Sequence, residues 1–147
     1  MRREMETRFY RLLPEGTVLC TLCPQACRLQ EGERGRCRVR FRRGDKIYLS
    51  SYGQISALAL DPMEKKPLYH FYPGAAILSV GTVGCNLQCD FCQNWGIAHG
   101  DAPTEYLSPE DLVELADKYR AQGNIGLAYT YSEPLIWYEY VYDTARL

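Results

Sequence analysis

The stretch "AAILSVGTVGCNLQCDFCQNWG", Ala75 to Gly96, runs from a nearly continuous apolar segment into three cysteines spaced C-x3-C-x2-C. An apolar run this short predicts a strand buried on both faces, at about residues 75 to 81, as in parallel sheets. The offsets of Cys85, Cys89 and Cys92 would also line one face of a helix. However, Gly81-Thr82-Val83-Gly84 follows the strand directly, so the spacing predicts a wrapping loop. Thiolates are soft ligands for zinc and for iron–sulfur clusters, and these three are close enough to share one centre. A structural zinc site is closed by four protein ligands, and the nearby histidine that could complete one is His99. Three cysteines on a four-iron cluster would instead leave one iron open to an external ligand. On ligand types alone both readings stand.

Downstream, "SPEDLVELADKYRAQG" carries a full set of helix signals: Ser108 as N-cap, Pro109 at the first helical position, Glu110 and Asp111 in the first turn, and Gly123 as terminator. Leu112, Leu115, Ala116 and Tyr119 form its apolar stripe. "IGLAYTY" then predicts a second strand, and Ser132-Glu133-Pro134 opens an aromatic helix, "LIWYEYVYDTARL". Strand, loop, helix, strand, helix implies parallel strands joined by a crossover. Two parallel strands make a poor sheet alone, so the expected fold class is α/β, the first β/α units of a barrel-like protein whose chain continues past Leu147.

Upstream, Cys20, Cys23, Cys27 and Cys37 crowd a turn-rich segment with no helical pattern long enough to make a core. Four thiols suffice for a closed zinc site or an auxiliary iron–sulfur cluster, and zinc suits a small segment whose folding depends on metal. Arg43-Gly44-Asp45 predicts a hairpin turn between "CRVRF" and "KIYLSSY", and "QISALAL" predicts another strand ended by Asp61-Pro62. In "CRVRFRR" the alternation of Arg38, Arg40 and Arg42 with Val39 and Phe41 predicts a half-buried strand with its basic face in water. These readings divide the chain into a Cys-rich metal module at 1–45, a short β segment and connection at 46–74, and the start of a larger domain at 75–147. Lys65, Lys66, Tyr69 and His70, in the connection, read as solvated or structural, with a substrate-facing role as the alternative.

The net charge of −1 conceals an imbalance: 12 Lys and Arg against 6 Asp and Glu through Lys46, then 5 against 12. A solvated basic face explains the first half more simply than nucleic-acid binding. The N-terminus has no apolar signal region and no segment approaches the roughly 20 apolar residues of a membrane span, so a cytoplasmic protein is expected. Seven cysteines in such a chain argue for metal or redox chemistry rather than a disulfide framework.

The loop "GCNLQCDFCQNW", with an aromatic before its last cysteine, resembles the signature of the radical S-adenosylmethionine (SAM) enzymes. Together with "DPMEKKPLYHFYPG", "AYTYSEPLIWYEY" and the N-terminal "CTLCPQACRLQEGERGRCRVR", it is similar to the relatives of pyruvate formate-lyase activating enzyme, in particular the AmmeMemoRadiSam-system branch. The resemblance implies a partial (β/α)6 barrel, a [4Fe–4S] cluster on Cys85, Cys89 and Cys92, and reductive cleavage of SAM with hydrogen abstraction from a substrate. It also implies that Phe91 flanks the adenine of SAM, that Asn94 follows the last ligand, and that Ser132 and Glu133 occupy the position of a Gly-Gly-Glu-Pro stretch that meets the amino group of SAM. An electron donor such as a flavodoxin or ferredoxin and a protein or peptide substrate are the implied partners. The competing class is a non-catalytic binding module stabilised by two zinc sites.

Overall fold

A computed structural model describes residues 4–147. The first part is built from short antiparallel strands: β1 (Met5–Glu6), β2 (Tyr10–Leu12), β3 (Val18–Cys20), β4 (Arg28–Leu29), β5 (Arg40–Arg43) and β6 (Lys46–Leu49). They form two three-stranded sheets, ordered β2-β3-β4 and β1-β6-β5. The β5–β6 hairpin turns through Gly44-Asp45, where Gly44 has φ +59°, as the sequence predicts. Val18, Leu29, Ile47 and the Cys20 side chain bury together as a small apolar cluster.

The basic strand departs from expectation. Arg40 is only 1 % exposed, Val39 and Phe41 are also buried, and Arg38 precedes the strand with φ +67°. The left-handed Arg38 shifts the alternation, and Arg40 turns inward because a buried carboxylate awaits it: Nη1 donates to Glu139 Oε1 at 3.1 Å, Nη2 pairs with Oε2, and Nε donates to the Ile136 carbonyl at 3.2 Å. Apolar–basic alternation cannot distinguish a solvated arginine from one paired across the core.

The second part follows β7 (Gln54–Ile55), β8 (Ala57–Pro62) and β9 (Ala76–Gly81), then the one-turn helix α1 (Trp95–Ala98), β10 (Glu105–Tyr106), α2 (Pro109–Lys118), β11 (Asn124–Tyr129) and α3 (Tyr138–Ala145). β9 is central: β8 lies antiparallel on one side and β11 parallel on the other. Helix α2 is the connection between the parallel pair. Its capping box is complete, with Asp111 N–H donating to the Ser108 hydroxyl and the Asp111 carboxylate accepting from Ser108, and Gly123 ends the following turn at φ +86°. Leu78 and Val80 project toward Leu112, Ala116, Ile136, Trp137 and Tyr140, forming the main core. The result is a mixed α/β structure in which the described strands close no barrel.

Candidate functional site

Gly81 ends β9 where residue 130 ends the neighbouring chain crossing, and the two segments touch. A Cβ on Gly81 would lie 2.7 Å from the Thr130 carbonyl oxygen and 2.9 Å from the Tyr131 ring, so glycine is required for this approach. Ser132 Oγ donates to the Thr82 carbonyl at 2.9 Å, and Thr82 Oγ1 donates to the Gln54 carbonyl at 2.7 Å. The Ser132-Glu133-Pro134 turn is thereby fixed against the root of the cysteine loop. Glu133 accepts the Leu135 N–H at 3.1 Å and so caps the short helical turn after Pro134.

The loop leaves β9 without helix until α1, in agreement with the wrapping-loop reading. Cys85 is buried and its Sγ accepts the Leu87 N–H at 3.4 Å, while Cys89 and Cys92 are half-buried. Phe91 is 89 % exposed, a bare ring beside the last cysteine, and Asn94 begins α1, its carbonyl accepting the Ala98 N–H at 2.9 Å. Three soft thiols on one accessible loop are a donor set that fits an iron–sulfur cluster. Among the described residues, no three His, Cys, Asp or Glu side chains close on one point as a single metal ion would need.

Of the N-terminal cysteines, Cys20 ends β3 while Cys23, Cys27 and Cys37 lie outside the strands. Cys20 N–H donates to the Cys27 carbonyl at 2.9 Å, and Arg36 N–H donates to Cys27 Sγ at 3.4 Å. Burial pushes the Cys20 and Cys37 thiols up, opposed by backbone N–H groups of Leu22 at Cys20 and of Val39 and Arg40 at Cys37. Cys23 and Cys27 are half-buried.

One polar group was not singled out from the sequence. Asp61 on β8, 3 % exposed, accepts Lys65 Nζ at 2.8 Å, Lys66 Nζ at 3.1 Å and the Tyr131 hydroxyl at 3.1 Å. Lys65 above all, then Lys66 and Tyr131, hold its carboxyl well below the usual carboxylate range, although burial opposes them. Its register partner is Ile77, so it shares a sheet face with Ala57, Ala59, Ser79 and Gly81, opposite the face that Leu78 and Val80 turn to the helices. This face, small-sided apart from Ile77, carries a charged network reached by Tyr131 from a left-handed backbone at φ +69°. Lys65 and Lys66 thus have a shared anionic partner, while Tyr69 is 95 % exposed. The acid was visible only as part of "DPMEKKP"; nothing in that string announces its reach to Tyr131.

Among the described residues no helix is long and apolar enough to cross a membrane. An uncharacterized protein of Methanocaldococcus jannaschii is 42 % identical over 143 residues, which cover 95 % of this chain and 42 % of that protein. The chain therefore spans well under half the length of this curated relative. No solved structure matches. The cysteine loop, the α2 crossover and the Ser132-Glu133-Pro134 turn all lie within residues 79–147, and this stretch matches the family model of the Radical SAM superfamily.

Proposed function

We propose that the chain is the cluster-bearing part of a radical SAM enzyme of the kind that resembles glycyl-radical-enzyme activases, acting on a substrate selected by elements outside these residues. Radical SAM proteins use a [4Fe–4S] cluster with SAM, and the chemistry this pair supplies when bound is one-electron cleavage of the sulfonium followed by hydrogen abstraction. Cys85, Cys89 and Cys92 would hold the cluster, and the absence of a fourth cysteine in the loop leaves the open position that SAM needs. Phe91 offers an exposed apolar ring for the adenine, and Asn94 a polar group at the far end of the loop. Ser132 and Glu133 present a hydroxyl and a carboxylate beside the loop root, suited to an ammonium group. The observation that carries this reading is the convergence of the loop root at 81–82 with the turn at 130–133.

The N-terminal thiols Cys20, Cys23, Cys27 and Cys37 form a second metal site in the same reading, zinc being favoured over an auxiliary cluster because this segment has only a small apolar cluster of its own. A flavodoxin- or ferredoxin-type donor would supply the electron.

Anaerobic reconstitution with iron and sulfide, followed by metal analysis, tests the ligand assignment. The wild-type chain is expected to be brown and to hold about four irons on the loop, and Cys89→Ala to lose them. Full iron retention in that variant would contradict the assignment. A colourless chain holding only zinc would overturn the enzyme reading.

A further inference from the structure

The two cysteine sets, far apart in sequence, are joined by side chains that flank them. Gln25, between Cys23 and Cys27, donates Nε2–H to the Asn86 carbonyl at 3.0 Å, and Asn86 lies between Cys85 and Cys89. Arg36, next to Cys37, donates from Nη2 to Gln88 Oε1 at 2.7 Å, and Gln88 is next to Cys89. Arg38, on the other side of Cys37, donates to the Gly100 carbonyl at 3.0 Å. At the loop's entry the contact is steric: a Cβ on Gly84 would lie 2.6 Å from the Cys37 carbonyl oxygen, and Gly84 adopts φ +90°. One segment, residues 25–38, therefore holds the loop at its entry and inside it, and also contacts the chain just after α1.

Beyond its root, which Ser132 and the Ile97 carbonyl hold, the loop's large side chains are poorly covered. Leu87 is 46 % exposed, Phe91 89 % and Trp95 55 %, so its large apolar side chains supply little packing. The gripping segment is itself tightly wound. Arg38 N–H donates to the Gly35 carbonyl at 2.8 Å, Gly35 N–H to the Arg40 carbonyl at 2.8 Å, and Arg36 N–H to Cys27 Sγ at 3.4 Å. Arg36 and Arg38 therefore project from one short turn whose backbone is already committed.

We propose that Gln25 and Arg36 are positioning residues for the cysteine loop, so that the N-terminal segment preorganises Cys85 and Cys89 before any metal arrives. The functional value of this arrangement rests on the loop being the cluster site, but the arrangement itself can be read without metal. Preorganisation matters there because each thiol held near its final place is one less to order on binding.

The test is alkylation of the metal-free chain by iodoacetamide under anaerobic conditions, followed thiol by thiol with peptide mass spectrometry. In the double variant Gln25→Ala/Arg36→Ala, and separately in Gln88→Ala, Cys85 is expected to react faster than in the wild type. For the double variant the factor is about fivefold, the scale of losing one or two hydrogen bonds. Cys20, whose side chain is buried with Val18, Leu29 and Ile47, is expected to keep its wild-type rate, and Arg36→Lys, which retains a donor, to stay near wild type. An unchanged Cys85 rate in the double variant overturns the proposal. So does equal acceleration at Cys20, which would make the effect one of folding in the N-terminal segment. Failure of the wild-type chain to take up iron would remove the cluster reading while leaving this comparison standing; iron uptake with unchanged Cys85 rates would do the reverse.

Discussion

Tyr131 takes a left-handed backbone, φ +69°, that a bulky side chain adopts only when its surroundings hold it there. Its hydroxyl is anchored on Asp61, and the same carboxylate neutralises Lys65 and Lys66. Because the folded-state pKa of Asp61 lies below that of an unfolded aspartate, about 3.9, the unfolded chain binds the extra proton as pH falls. The stabilisation is therefore fully present above about pH 4 and is lost as pH drops through the folded value. Asp61→Asn is expected to cost about 1–3 kcal/mol at pH 7, the scale of a charged hydrogen-bond network losing its acceptor. Urea unfolding at pH 7 and pH 3 checks it: the gap between wild type and variant should narrow at the lower pH, and an equal gap at both would rule out an ionised Asp61 as the cause. The cysteines stand out as candidate ligands because their chemistry is carried by residue type and spacing. Asp61, Gln25 and Arg36 were not, because their roles depend on partners more than sixty residues away or on a different loop, and no local pattern encodes such a partner.

Among the elements, those with punctuation were read correctly. Ser108 and Gly123 bracket α2 and its terminal turn, Gly44-Asp45 turns the hairpin, and the apolar run ending at Gly81 is β9. The strand β5 departs from its pattern because alternation records which side chains are polar, not which face meets water. Arg40 on β5 and Glu139 on α3 form a buried bidentate pair, with Arg8 N–H also donating to Glu139 Oε1 at 3.1 Å. This pair ties the N-terminal strands to the last helix. Removing one partner strands a charge in the core, so Glu139→Ala is expected to destabilise by about 3–5 kcal/mol, while Arg40→Met with Glu139→Leu recovers much of the loss. Equilibrium urea unfolding of the wild type and the two variants measures this, and a cost below about 1 kcal/mol for Glu139→Ala would mean the pair is solvated.

At the scale of the molecule, the charge imbalance along the chain is resolved partly by contact between its halves. Arg8 pairs with Asp143 at 3.5 Å and Arg40 with Glu139, so basic residues of the first part meet acids of the last helix. The α/β crossover was legible from the order of apolar periods. The antiparallel strand β8 beside β9 and the gripping of the cysteine loop by residues 25–38 were not, since both are tertiary contacts without a sequence period. The 25–38 contacts link the two cysteine-bearing segments, while Gly81 and Thr82 meet the 130–133 turn at the loop root, and the proposed chemistry depends on that geometry. The most direct measurement is the electron paramagnetic resonance spectrum of the anaerobically reconstituted, dithionite-reduced chain, recorded before and after adding SAM. The expected result is the signal of a reduced four-iron cluster that changes shape when SAM binds, and that Cys89→Ala abolishes; a chain with no cluster signal, or a signal that SAM leaves unaltered, would contradict a cluster with one iron open to SAM.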